Sequence, residues 1–94
     1  MVIGTALIEL DIPASASLKD KRRVVRSVIA RLRRDYNFSV AEVDALDQWQ
    51  RAVIGISAVS NDARYTHGLL EKAIAALAEW RLDCVIAGYQ IEIW

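Results

Sequence analysis

The sequence is poor in the residues on which small-protein chemistry is usually built. It has one cysteine, Cys84, so it can form neither an intrachain disulfide nor a cysteine-rich zinc site. It has one histidine, His67, with no serine–histidine–acid order and no metal-ligand spacing around it. The four glycines, at positions 4, 55, 68 and 88, are scattered and make no phosphate-cradling loop. The single proline, Pro13, ends a strand instead of marking a linker. No stretch approaches the ~20 consecutive apolar residues that cross a bilayer. The opening "MVIGTALIELDIP" lacks a basic flank and contains Glu9 and Asp11, so it reads as a first strand and not as a secretion signal. Twelve Lys and Arg balance twelve Asp and Glu. A case for nucleic acid must therefore rest on local clustering of charge. These absences point to a reducing cytoplasm, with no cofactor, no metal and no membrane.

What is present is a core. Of 94 residues, 54% are hydrophobic, ample for one packed domain over residues 1–94. So short a chain has little stability to spare, which favours a partner subunit. Val2 to Ile12 alternates as a strand, with Gly4, Ala6, Ile8, Leu10 and Ile12 on one face. Ser17 then caps a helix, with Asp20 as a short-armed capping-box acid. Leu18, Val25, Val28, Ile29, Leu32 and Tyr36 recur at helical spacing to about Asn37. Phe38–Leu46 and Trp49–Ser60 are two strands joined by the turn "LDQW". Ser60, Asn61 and Asp62 open a second helix whose stripe is Ala63, Leu70, Ala73, Ile74, Leu77 and Trp80. Leu82–Trp94 is a last strand, with Val85, Ala87, Tyr89, Ile91 and Ile93 on one side. The order predicts an α+β, ferredoxin-like βαββαβ fold: a four-stranded antiparallel sheet with both helices on one face.

The phases assign charge to the two sides. With Ala6, Ile8 and Leu10 turned to the helices, Glu9 and Asp11 face the open side. With Val43 and Ala45 inward, Glu42 and Asp44 face out, as does Glu92. Arg51 is the main cation expected among them. An acidic open sheet without an aromatic run suits RNA poorly.

The other side is basic. "SLKDKRRVVRSVIARLRRDYN", residues 17–37, holds eight of the twelve Lys and Arg. At 100° per residue, Lys19, Arg22, Arg23, Arg26 and Arg33 lie opposite the apolar stripe. Arg31 and Arg34 flank it, and Lys21 lies close to the stripe, reaching past it to water. The plain reading is a solvated face. However, cations crowd the first turns, where the helix dipole is itself positive and each costs about 0.3–1 kcal/mol. Clustered cations beside free N–H groups suit an anion. The candidate phosphate contacts are therefore Lys19, Lys21, Arg22, Arg23, Arg26 and Arg33. Trp49 and Trp94 are candidate partner anchors, against the reading that each closes an end of the core.

Catalysis has little to stand on. His67 falls at the edge of the second helix's stripe and reads as structural. Cys84 opens an apolar strand and reads as a small core residue. Acylphosphatases share this topology, but they need an Arg in a Gly-rich loop after the first strand, and "DIPASAS" holds neither.

"SLKDKRRVVRSVIARLRR", "FSVAEVDALDQWQRA" and "VSND" together resemble the YlxP-like family of small uncharacterised bacterial proteins. The resemblance runs from about Thr5 to Tyr89, with Asp20 where members usually carry Glu. It implies a ferredoxin-like fold and no established activity, and it offers no catalytic residues. Asp47, Trp49, Gln50, Ser60, Asn61 and Asp62 match its motifs. Genes of the family often lie beside those of a transcription elongation factor, a translation initiation factor and ribosome-binding factor A. The resemblance thus implies a place near translation. The expectation is a non-enzymatic RNA- or ribosome-associated accessory protein. The alternative is a protein-interaction or self-assembling, dimeric module that uses the sheet face or a strand edge.

Overall fold

A computed structural model describes residues 1–80 and 82–94. The elements are β1 (Val2–Asp11), α1 (Leu18–Asp35), β2 (Ser39–Asp44), β3 (Arg51–Ser60), α2 (Ala63–Glu79) and β4 (Val85–Ile93). They form one sheet in the order β2-β3-β1-β4, every neighbouring pair antiparallel. This is the expected ferredoxin-like βαββαβ arrangement of the α+β class.

The caps behave as the sequence indicates. Asp20 N donates to Ser17 Oγ at 3.1 Å, and Asp20 Oδ2 accepts from Ala16 N at 3.0 Å. Two orphan amides at the start of α1 are thereby satisfied. Asp62 Oδ1 accepts from Tyr65 N at 3.0 Å at the start of α2. Behind it the Ser60 and Thr66 hydroxyls share a hydrogen bond. Each helix stops where an aromatic residue, Tyr36 or Trp80, takes up extended backbone.

One core lies between the helices and the sheet. Ile8, Leu10, Ile54, Val28, Leu32 and Leu70 are fully buried in it. The alternation along β1 and the 3.6-residue stripe of each helix meet there.

Two strand phases differ from expectation, each because of a bulge. In β2, Glu42 pairs with the inward Ile54, while Asp44 pairs with Val53. The extra residue turns Val43 onto the open face, where its methyls cover Gly55. Glu42 therefore faces the helices and Val43 does not. Asp44 faces out, as expected. In β4 the register slips between Gly88 and Ile86, so Ile86 faces inward opposite Leu10 and Val85 sits beside Asp11. Val85 and Tyr89 thus lie on different sides.

Gly4 is where α2 comes closest to the sheet. A Cβ there would overlap Thr66 Cγ2 and stand 3.0 Å from Leu70 Cδ1. Both neighbours are fully packed, so neither can give. Gly4→Ala is expected to destabilise by about 1–3 kcal/mol through overpacking. Gly68, in α2, has open space where its Cβ would be. Gly68→Ala should stabilise by about 0.5–1 kcal/mol. Urea unfolding of the two variants checks the opposite signs.

Candidate nucleic-acid interface

The basic helix divides into three parts, and the division begins at Lys21. Its side chain does not reach water; it is 0% exposed. Its Nζ donates to Ala45 O at 2.8 Å, Leu46 O at 3.0 Å and Arg51 O at 3.4 Å. Glu42 Oε2 stands 2.9 Å away. An ammonium has three protons, and the three carbonyls take them. Glu42 is consequently held by charge without a well-aimed hydrogen bond of its own. Lys21 therefore contacts no phosphate. Its angle beside the apolar stripe carries the head group into the core, because a carboxylate and three carbonyls wait there in place of water.

With Lys21 turned in, Lys19, Arg22, Arg23 and Arg26 are turned out, and all four are exposed. They form a ridge roughly 10 Å long at 1.5 Å per residue. Among the described residues no carboxylate lies within 4.0 Å of their nitrogens. Asp20 and Asp83 share a shallow hollow with Arg23, but the Asp20 oxygen is already engaged at the cap. Glu71 pairs with His67 at 3.7 Å, within α2, and leaves the α1 cations alone.

The cations in the far half of α1 are engaged within the chain. Arg34 Nε donates to Asp35 Oδ1 at 2.8 Å, and Arg31 Nε stands 3.9 Å from Asp35 Oδ2. The Arg34 hydrogen bond holds the Asp35 carboxyl below its ordinary range. Arg31 also lies over the Trp80 ring at 4.5 Å, a cation–π contact. Arg33 Nη2 donates to Val40 O at 2.8 Å, covering a carbonyl at the β2 edge. Arg33 therefore stands apart from the ridge.

The two tryptophans sit at opposite ends of the sheet. Trp49, 55% exposed, is in the β2–β3 turn, the same turn whose carbonyls hold Lys21. Trp94, 68% exposed, lies beyond β4, where its indole N–H donates to Thr5 Oγ1 at 3.2 Å. It borders a groove of about 650 Å3 on the open face, with Leu7, Val43 and Gly55 among its lining residues and Arg33 at its margin. The inverted phase of Val43 concealed this groove in the sequence. Beside it, Arg51 Nη2 meets Glu9 Oε1 at 3.4 Å, both on the open face.

Among the described residues no three His, Cys, Asp or Glu come together as metal ligands would. His67, which its helical angle sets at the edge of the α2 stripe, is exposed. Burial pushes the Cys84 thiol above its ordinary pKa, and the nearby Asp83 charge adds to the effect, the reverse of what activates a nucleophile. Among the described residues no helix is long and apolar enough to cross a membrane.

Residues 3–91 match the family model described as "Protein of unknown function (DUF503)". The chain belongs to that family. It is 36% identical over 74 residues to "Uncharacterized protein YlxP" of Bacillus subtilis (strain 168), covering 79% of this chain and 80% of that protein. Among solved structures it is similar to LarC2, the C-terminal domain of a cyclometallase involved in the synthesis of the NPN cofactor of lactate racemase, in its apo form. That likeness covers all of this chain and 56% of the other, at 14% identity and a TM-score of 0.43.

Lys21→Met leaves Glu42, mostly covered at 14% side-chain exposure, without a counter-ion and two close carbonyls without donors. The expected loss is about 3–5 kcal/mol, or at least ~12 °C in Tm for a domain of this size. Glu42→Gln should cost less, since Lys21 keeps its three acceptors. Thermal unfolding by circular dichroism ranks the two. Iodoacetamide should label Cys84 more slowly than free cysteine at neutral pH, followed by mass spectrometry.

Proposed function

We propose that the protein is a non-enzymatic, cytoplasmic accessory protein of RNA or the ribosome, and that Lys19, Arg22, Arg23 and Arg26 contact phosphate. The observation that supports this reading is four exposed, unpaired cations in the first turns of α1. Cations at that end oppose the helix dipole, and a helix stabilised for its own sake would carry acids there. Phosphate reverses the balance: it gains from the cations and from the dipole together. The exposed Trp49 on the adjoining turn supplies a flat apolar surface of the kind on which unpaired bases stack. The gene neighbourhood implied by the family resemblance points the same way. The open sheet, with Glu9, Asp11, Asp44 and Glu92 on it, would repel a phosphate backbone, which leaves the helix side to receive it.

The test is co-sedimentation with ribosomal subunits, alongside binding to bulk RNA, at low and moderate salt. Four phosphate contacts imply a loss of roughly 50- to 150-fold in affinity between about 50 and 200 mM salt. Arg22→Glu/Arg23→Glu/Arg26→Glu should abolish binding while its circular dichroism stays native. Lys72→Glu, on α2, reverses a charge away from the ridge and should bind as wild type. Absence of binding at low salt, or equal binding by the triple variant, would make the ridge a solvated helix face.

A further inference from the structure

The two edges of the sheet are finished differently. At β2, Arg33 covers the Val40 carbonyl, and the bulge at Val43 interrupts the ladder. The inward Val40 is only 4% exposed. Each of these devices discourages another strand from joining. β4 has its bulge at Ala87, near its start, and from Gly88 to Ile93 its ladder to β1 is regular, with no such device among the described residues of that stretch. Its sequence, VIAGYQIEI, has one charge, Glu92, and neither proline nor lysine.

The inner face of β4 is also left unfinished. Register with β1 sets Ile86, Tyr89, Ile91 and Ile93 opposite Leu10, Ile8, Ala6 and Gly4. Those β1 residues are buried, while their β4 partners are half-covered or, for Tyr89, 54% exposed. The core layer stops at β4 without a flank.

Backbone phase makes this edge competent to pair. Ile3 and Trp94 exchange both hydrogen bonds, at 3.3 and 2.8 Å. Alternation along an antiparallel pair then aims the Glu92 and Gln90 backbone groups at β1. It aims the N–H and C=O groups of Ile93, Ile91 and Tyr89 away from the sheet.

We propose that β4 pairs antiparallel with β4 of a second copy, giving a two-fold dimer with one eight-stranded sheet. Three observations select a second copy as the occupant. An antiparallel edge is its own complement under a two-fold axis. The single charge lies near one end, so antiparallel pairing sets the two Glu92 carboxylates at opposite ends of the seam. The closed β2 edge blocks head-to-tail growth from β4 to β2, so association stops at two. Pairing also extends the apolar layer across Tyr89, Ile91 and Ile93.

Sedimentation equilibrium over a concentration series, with amide exchange followed by NMR, tests the proposal. Wild type should reach twice the 10.5 kDa chain mass. The amides of Tyr89, Ile91 and Ile93 should exchange at least tenfold more slowly as the dimer fills. Tyr89→Pro removes one outward N–H without touching the β1 ladder and should be monomeric. Tyr89→Lys is the milder edge block and should raise the dissociation constant at least tenfold, which keeps the test intact if the proline variant unfolds. A wild type that stays monomeric overturns the proposal. So does a dimer whose three amides exchange as in the monomer, or a folded lysine variant that dimerises as tightly as wild type.

Discussion

A lysine ammonium sealed from water is the constraint on which the rest of this structure depends. Stripping an ammonium of its hydration costs several kcal/mol, and only a near-complete replacement shell offsets it. Here the shell comes from three places in the chain: Glu42 in β2, Ala45 and Leu46 in the turn, and Arg51 at the start of β3. One side chain of α1 thus fixes the helix against the β2–β3 hairpin. The same hairpin is tied to the segment before α1. Gln50 Nε2 donates to Pro13 O and Ser15 O, and Ile12 N donates to Gln50 O. Loop, helix start and turn form one rigid corner.

That corner determines where the charge points. Lys19, Arg22, Arg23 and Arg26 lie 100–200° around the helix from Lys21, so anchoring Lys21 inward presents the other four outward. The last turns of α1 have no such role. There Asp35 gathers Arg31 and Arg34, and Trp80 takes the face of Arg31. A neutral total conceals a molecule with an unpaired basic ridge at one corner and acids over its open sheet. The separation gives any phosphate-rich partner one side to approach.

Much of this was legible in the sequence. The order of six elements, both N-caps, the helix stripes apart from the exposed Ala63 and the buried Thr66, and the outward Glu9, Asp11, Asp44 and Glu92 all follow from local rules with a period of 2 or 3.6. What failed was what no period carries. A bulge adds one residue and inverts every phase beyond it, and β2 and β4 each have one. Reading β2 as regular sent Glu42 to water and Val43 to the core. Lys21 was then left without a counter-ion and was assigned to solvent. The two errors are one error. A lysine at the angle of a core position calls for an acid on the facing strand, and Glu42 was the residue whose inversion would supply it. Gly55 was a second signal, because a Val43 turned outward packs over a residue that has no side chain.

The two proposals meet in the geometry of the sheet. α1 packs over β2 and β3, the half of the sheet farthest from the β4 edge. A two-fold axis through the β4 seam, normal to the sheet, keeps both helix layers on the same side. The two α1 helices then stand roughly 30 Å apart, counting ~4.8 Å per strand. Both ridges face one side of a rigid platform, so a single folded RNA spanning that distance engages both without paying the association entropy twice. Eight phosphate contacts in place of four would double the dependence of affinity on salt, from a slope near −3.6 to one near −7 on duplex nucleic acid. On these two proposals the edge left open at β4 and the edge closed at β2 would act on binding as well as on assembly. The first would set the valency, and the second would keep it at two.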